Sequence, residues 1–111
     1  GERWLADWRA AVCALAIQRD GGFNPATPFG QALAEARFAE SRLERLLSAS
    51  GDTLRALALR AARQVAAKGI ACDWRTFAEL LFTRDSEYRE RINTRIARDF
   101  YRTLQSANTE E

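Results

Sequence analysis

The run RERINTRIARDFYR, from Arg89 to Arg102, carries two stripes of opposite character at helical spacing. At 100° per residue, four arginines fall within a sector of roughly 60°. An apolar stripe is centred roughly 140° away from them. The arginine stripe consists of Arg91, Arg95, Arg98 and Arg102, and the apolar stripe of Ile92, Ile96, Phe100 and Leu104. This pattern predicts a long helix with one face in a core and an arginine-lined face turned away from it.

Apolar residues recur at helical spacing in five earlier segments as well. The predicted helices cover Arg3 to about Arg19, a short segment begun at Pro28, Ala39 to Ala49, Asp52 to Lys68, and the residues that follow Asp73. No segment alternates with period two for long enough to be a strand. The sequence therefore predicts an all-α, compact bundle of about six helices. We expect a single domain over residues 1–111, with residues 106–111 as a flexible polar tail.

Residues of special backbone geometry mark the ends of these helices. The sequence GGFNPATP, residues 21–28, cannot continue a helix, and Pro28 suits the first turn of the next one. Asp52 and Asp73 are predicted N-caps, because a short carboxylate accepts a hydrogen bond from the first free backbone amides. Gly69 is predicted to adopt the left-handed conformation that commonly ends a helix.

The aromatic residues indicate a core rather than a binding platform. Each Trp and Phe falls on the apolar face of its predicted helix, so these rings are expected to be buried. The residues expected inside also include Leu33, Ala36, Leu43, Leu46, Leu47, Leu54, Leu57, Ala61, Ala62, Val65, Leu80 and Leu81. Tyr101 is the exception, because it projects beside the arginine stripe. There it is placed to stack on a base or to pack against a neighbouring protein.

Length and composition describe an ordinary soluble globular protein. The chain has 111 residues, of which 47% are hydrophobic and 29% charged. It contains neither an apolar run of about 20 residues nor a recognisable signal peptide. These features predict a cytoplasmic protein without membrane contact. Gly1 in place of an initiating methionine indicates a processed or trimmed amino terminus.

The sequence offers little for catalysis or metal binding. It has no histidine, and its two cysteines, Cys13 and Cys72, are far apart and form no CxxC pair. Zinc sites and His-dependent nucleophilic catalysis are therefore excluded. Glu40 and Glu44 lie on a solvated helix face, and Asp99 is expected within reach of Arg95 and Arg102. With no Walker or GxGxxG motif either, we predict a protein that is not an enzyme and holds no cofactor and no metal.

The basic residues are almost all arginine. The formal net charge is only +2, yet Lys68 is the single lysine among 17 basic residues. Arginine presents a planar fork of donors that matches phosphate and also stacks on bases. A GC-rich genome likewise favours Ala and Arg. That bias explains the Arg-to-Lys ratio but not where along the helices the arginines lie.

Further basic pairs occur outside the last helix, and they favour a nucleic-acid partner. Such pairs are otherwise typical of a solvated face. Several of them on different helices of a motif-free protein favour binding to the phosphate backbone, independent of base sequence. The predicted nucleic-acid-binding residues are Arg42, Arg45, Arg60, Arg63, Arg91, Arg95, Arg98 and Arg102; Arg75 and Lys68 add to the basic surface. The alternative form of DNA binding is a helix-turn-helix that recognises base sequence. The tight turn that this motif requires is not visible in the sequence.

Three stretches in order resemble a known family. They are FGQALAEARFAESRLERLL (Phe29 to Leu47), CDWRTFAELL (Cys72 to Leu81) and IARDFYR (Ile96 to Arg102). In order and spacing they resemble the small subunit of the type I-E CRISPR Cascade, called CasB. The matching positions are Gly30, Ala32, Leu33, Glu40, Arg42, Asp73, Trp74, Ala97, Arg98 and Phe100. The resemblance covers about two-thirds of the chain.

The resemblance implies an all-helical, non-enzymatic subunit of a CRISPR RNA-guided surveillance complex. Its expected partners are the backbone and large subunits, another copy of itself, the crRNA–DNA hybrid and the displaced strand of the R-loop. Within the matching motifs, Gly30, Leu33, Asp73, Trp74 and Phe100 are expected to be structural. Arg42 and Arg98 are the motif positions expected to contact nucleic acid.

The chain also departs from the family pattern. Fewer residues precede the G-x-A-L-A stretch than is usual, which indicates a compact variant or a related class 1 small subunit. Gln31 stands where the family often has Arg, and Arg37 where it often has Gly. The residues alone leave two alternative functions open. One is a helical adaptor that binds only protein partners, and the other is a bacterial DNA-binding regulator.

Overall fold

The computed structural model describes Trp8 and residues 22–110, with side chains described to residue 107. This part of the chain forms five helices: α1 (Phe29–Glu35), α2 (Glu40–Ser48), α3 (Gly51–Ala67), α4 (Trp74–Phe82) and α5 (Ser86–Glu110). Over the same residues there is no strand, only an isolated parallel bridge between Phe23 and Cys72. The predicted all-α class is therefore confirmed. The first predicted helix, Arg3 to Arg19, lies outside the described residues except for Trp8.

The core is built from the apolar faces that helical periodicity predicts. Ile92, Ile96 and Phe100 of α5 are at most 1% exposed, and Leu104 packs partly buried beside them. They meet α1, α2, α3 and α4 in one cluster. Its largest fully buried side chains are Phe29, Leu33, Leu43, Leu46, Val65, Phe77, Leu80, Leu81, Ile92, Ile96 and Phe100. The amphipathic pattern of residues 89–102 thus places α5 against α1 and α4, with the arginine stripe outward.

The closest helix contact is the crossing of α1 over α5. Gly30 of α1 lies so near α5 that a Cβ added to it would be 2.3 Å from the carbonyl oxygen of Ile96. It would also be 3.0 Å from the Cβ of Asp99. Only a residue without a side chain fits there. This contact explains the Gly in the stretch that resembles the small-subunit family.

Two helix ends follow the sequence prediction and one does not. Asp73 caps α4, since its Oδ1 accepts a 3.0 Å hydrogen bond from the Arg75 amide. Gly69 follows α3 with φ +68°, as predicted. Asp52 is not an N-cap: α3 begins one residue earlier, at Gly51, after Ser50. Asp52 lies within the first turn, where a carboxylate favours the positive end of the helix dipole and pairs with Arg55.

The segment before α1 is fastened to the start of α4. The Cys72 amide donates to the Gly22 carbonyl at 3.0 Å, and the Trp74 indole donates to the same oxygen at 3.1 Å. The Asp73 amide donates to the Thr27 carbonyl at 2.8 Å. Cys72 is fully buried beneath these bonds, and burial, with a smaller effect of the neighbouring Asp73, raises the pKa of its thiol to about 12. It is therefore a protonated core residue.

Several expectations need correction at the surface. Phe23 is 53% exposed and Trp8 is 44% exposed, so these two rings are not core residues. Trp8 instead stacks edge-on against Phe82, with ring centroids 5.9 Å apart. Helix α5 includes residues 106–110, and the flexibility expected of residues 106–111 stays a prediction. No helix among residues 22–110 is long and apolar enough to cross a membrane.

Arg37 occupies the position at which the resembled family often has glycine. Its φ is +62°, in the left-handed region that costs an L-residue about 1 kcal/mol or more. It lies just after α1, where the Arg37 amide donates to the Ala34 carbonyl at 3.0 Å. The backbone turn between α1 and α2 is therefore of the kind that favours glycine, although arginine stands there.

Candidate nucleic-acid interface

The arginine stripe lies on the outer face of α5, as the sequence predicts. Arg91, Arg98 and Arg102 are exposed, and Arg95 is half-buried. Among the described residues, no carboxylate forms an ion pair with Arg91 or Arg102. The stripe thus presents at least two guanidinium groups with their donors directed to solvent.

The other two stripe arginines each have one acidic neighbour. The Arg95 Nη1 lies 3.6 Å from Glu79 Oε1 on α4, and the Arg98 Nε lies 3.5 Å from Asp99 Oδ1. Asp99 was expected to reach Arg95 and Arg102, which is not observed. Asp99 is only 9% exposed, at the edge of the α1 crossing, and Arg95 turns towards α4. The guanidinium sides of both pairs are exposed, 43% for Arg95 and 57% for Arg98, so solvent weakens the pairs and both groups remain available to a stronger anion.

A second basic surface lies between α2 and α3. Arg42, Arg45 and Arg60 line a small depression whose apolar wall is formed by Phe38 and Leu57. Arg63 is exposed one turn further along α3. None of the four arginines has an acidic partner among the described residues. We refer to Arg42, Arg45, Arg60 and Arg63 as the α2–α3 arginine group.

The stripe and the α2–α3 arginine group do not form one continuous surface. On α2, Glu40 and Glu44 lie about 150° round the helix from Arg42 and Arg45. The two acids face Tyr101 of α5: partial burial raises the pKa of this tyrosine, and the charges of Glu40 and Glu44 raise it further. Acidic side chains therefore separate the eight predicted arginines into two groups of four.

A second tyrosine, Tyr88, which the sequence pattern did not single out, lies beside the stripe. Tyr88 is 39% exposed, and its hydroxyl donates to Oε2 of Glu79, the carboxylate that also pairs with Arg95. The hydrogen bond to Glu79 raises the pKa of Tyr88, while the nearby charges of Arg95 and Arg91 oppose that rise. The signal was present in the sequence, because Tyr88 stands three and seven residues before Arg91 and Arg95.

Arg75 extends the basic surface from α5 onto α4. Its Nε and Nη2 each donate to one carboxylate oxygen of Asp73 at 2.9 Å. The side chain remains 70% exposed while it makes this bidentate pair. Because Arg75 is bonded to Asp73, the N-cap residue of α4, the guanidinium group of Arg75 is held in one position relative to the stripe.

Arg89 belongs to the arginine-rich run but not to the surface. Its Nη2 donates to the carbonyls of Leu47 and Ala49, each at 3.0 Å, and to that of Leu46 at 3.4 Å. Its Nε donates to Asn93 Oδ1 at 3.0 Å. Burial lowers the pKa of Arg89 below its usual value. This arginine joins the end of α2 to α5 and is a structural residue.

The arrangement therefore defines a small all-α protein with two exposed arginine surfaces. Within the described residues there is no group of three or more His, Cys, Asp or Glu side chains that could hold a metal ion. The model of one protein family, described as CRISPR-associated protein Cse2, matches residues 2–101. The chain belongs to the Cse2 family, the small subunits of the type I-E CRISPR Cascade. No curated protein and no solved structure matches it significantly.

Proposed function

We propose that this chain is a non-enzymatic Cascade small subunit that holds nucleic acid by its phosphate backbone. Family membership indicates a small subunit that associates with other Cascade subunits. The nucleic-acid role is carried by one observation: the arginine stripe remains on the surface of α5, opposite the core, and Arg91 and Arg102 have no acidic partner among the described residues. The α2–α3 arginine group is a second, separate surface of the same kind. The proposed ligands are the crRNA–DNA hybrid and the displaced DNA strand.

Physical chemistry explains why such a surface suits a strand of any sequence. Guanidinium groups at successive helical turns are spaced about 5.4 Å apart and can contact neighbouring phosphates. Phosphate contacts position a strand but carry no base information. Each contact releases condensed counterions, so affinity falls as salt rises. A subunit of an RNA-guided complex has no need to read sequence itself, because base pairing to the guide does so.

The test compares DNA affinity of charge variants at two salt concentrations. Changing Arg91, Arg95, Arg98 and Arg102 to Gln preserves helix propensity and therefore the fold. The slope of log affinity against log salt should become shallower by roughly 0.7 to 0.9 for every phosphate that the variant no longer neutralises. The same quadruple change in the α2–α3 arginine group measures the second surface independently. Helix content by circular dichroism verifies that each variant is folded.

A pair of double variants controls for net charge. Arg91→Gln with Arg102→Gln removes two exposed charges from the stripe, and Arg37→Gln with Lys68→Gln removes two exposed charges elsewhere. We expect the first to lower affinity and the salt slope, and the second to change both much less. Equal effects of the two doubles would show that only net charge matters. Unchanged affinity and slope in the quadruple stripe variant would refute contact between α5 and nucleic acid.

We propose in addition that the chain braces the Cascade complex, and that it does so through protein contacts at its exposed aromatic residues. Phe23 and Trp8 are the most exposed large apolar side chains in the described part of the chain. We expect Phe23→Ser to weaken co-purification of backbone-type Cascade subunits, or of a second copy, with a tagged chain. Binding of free DNA by that variant should be unchanged. If Phe23→Ser leaves co-purification intact, this residue is not part of the subunit contact.

A further inference from the structure

Two tyrosines border the arginine stripe with nearly equal exposure but different surroundings. Tyr88 is 39% exposed and Tyr101 is 37% exposed. Tyr88 lies near the positive charges of Arg91 and Arg95. Tyr101 instead lies near the negative charges of Glu40 and Glu44 and packs edge-on against its neighbour Phe100. Both hydroxyl groups have acidic neighbours, but of these two tyrosines only Tyr88 also lies near arginine charges, those of Arg91 and Arg95.

The ring of Tyr88 is held in place before any ligand binds. Its hydroxyl donates to Oε2 of Glu79, and Oε1 of the same carboxylate lies 3.6 Å from Nη1 of Arg95. The negative charge of Glu79 is thus balanced by Arg95, and Arg75 lies close enough to Glu79 for their charges to interact. A side chain fixed in this way gives up little rotamer freedom on binding. One helical turn along, Arg91 offers a guanidinium group without an acidic partner among the described residues.

We propose that Tyr88 and Arg91 form a subsite for one nucleotide of an unpaired strand. The base stacks on the exposed ring of Tyr88 while the adjoining phosphate contacts Arg91. This inference rests on the proposed function and adds a contact to a base, with the two residues that make it. Bases in a duplex are already stacked and paired, so an aromatic platform on a protein surface engages unpaired bases. Of the two proposed ligands, this subsite therefore takes the displaced strand rather than the hybrid.

The experiment separates base stacking from phosphate contact by using two single-stranded probes. One is a fluorescent oligothymidylate of about 10 nucleotides, within the range that single-strand-binding surfaces cover. The other has the same length and the same number of phosphates but abasic sugars throughout. Fluorescence anisotropy gives the affinity of the full chain for each probe. Because the two probes differ only in their bases, the ratio of the two affinities measures the contribution of the bases to binding.

We expect the wild-type chain to bind oligothymidylate about 5-fold or more tightly than the abasic probe. Tyr88→Leu should bring the two affinities together without weakening the abasic probe, and Tyr88→Phe, which retains the ring, should preserve a difference. Tyr101→Leu is the matched control, since it removes an equally exposed ring, and it should leave the wild-type ratio unchanged.

Three results would overturn the subsite: equal affinity of the wild-type chain for both probes, a ratio that survives in Tyr88→Leu, or a ratio abolished in Tyr101→Leu instead. In each of these cases both probes still bind, so the proposed binding of nucleic acid by its phosphate backbone would stand. If neither probe binds the wild-type chain at low salt, the proposed function itself fails together with the subsite. The two failures are therefore distinguishable.

Discussion

The close crossing of α1 over α5 makes Gly30→Ala a test in which local and tertiary effects have opposite signs. Alanine favours an isolated helix over glycine by about 1 kcal/mol, so propensity alone predicts a more stable protein. At Gly30, however, the added Cβ would be 2.3 Å from the Ile96 carbonyl oxygen. An ordinary contact between carbon and a carbonyl oxygen is about 3.3 Å or longer. The two helices would therefore have to move apart by about 1 Å.

That movement opens the most tightly packed part of the core. A gap of this size forfeits roughly a quarter to a half of the van der Waals attraction between atoms that face each other across it. Leu33 on α1 and Ile96 on α5 are fully buried and would be packed less tightly. Because the clashing atom belongs to the backbone, no change of rotamer relieves it, and overpacking of this kind costs about 3 kcal/mol. Subtracting the propensity gain leaves a net destabilisation of about 2 kcal/mol.

The assay is thermal and urea unfolding followed by circular dichroism. For a domain of this size, the net destabilisation corresponds to a decrease in Tm of about 10 °C. Ala56→Gly, at an exposed position within α3, measures the propensity difference in this protein and should cost about 1 kcal/mol. A Gly30→Ala variant with a Tm equal to or above that of the wild type would refute the reasoning. The crossing would then not require glycine.

Two further predictions concern the ends of α2 and α4. Arg89→Met removes a charged donor shared by three carbonyls at the end of α2. Leu47 O keeps its hydrogen bond from Asn93 and Leu46 O keeps that from the Ala49 amide, so the loss falls mainly on Ala49 O and should lower the free energy of unfolding by about 1–3 kcal/mol in urea denaturation. Arg91→Met should change the free energy of unfolding by less than about 0.5 kcal/mol, and equal decreases in the two variants would contradict a structural role for Arg89 alone. Asp73→Ala removes the cap of α4 and should cost about 1 kcal/mol at pH 7. The side-chain hydrogen bond from Arg75 holds the pKa of Asp73 below its usual value, so this stabilisation is complete above about pH 4 and disappears as pH falls through the lower native pKa. A stability difference between wild type and Asp73→Ala that is undiminished at low pH would contradict the charged cap.

The helices themselves could be predicted because their signals are local. Periodicity alone identifies the buried face of α5, and the short-range chemistry of Asp73 and Gly69 marks two helix ends correctly. The N-cap of α3, in contrast, is predicted at Asp52, two residues after its observed position at Ser50. Ser50 and Asp52 are both good capping residues, and the choice between them depends on how the chain leaves α2.

The candidate site was less predictable, because its geometry depends on which helices meet. The sequence shows eight arginines on exposed helix faces but not that Glu40 and Glu44 divide them into two groups. It gives no indication that Arg89 turns inward while Arg91, two residues later, turns outward. Nor does it show that Arg95 pairs with Glu79 rather than Asp99. These relations arise only when the fold brings α4 and side chains of α2 next to α5.

The three carbonyl contacts of Arg89 also bear on how this sequence can change over time. A lysine has one ammonium group in place of a planar fork, so it cannot repeat the contacts to the end of α2 and to Asn93 at once. At Arg91 or Arg102, where charge alone is presented to solvent, lysine would serve the same electrostatic purpose. Substitution towards lysine is therefore open along the outer face of α5 and closed at Arg89. In a chain with a single lysine, the codon at position 89 is under a constraint that its neighbours in the same run do not share.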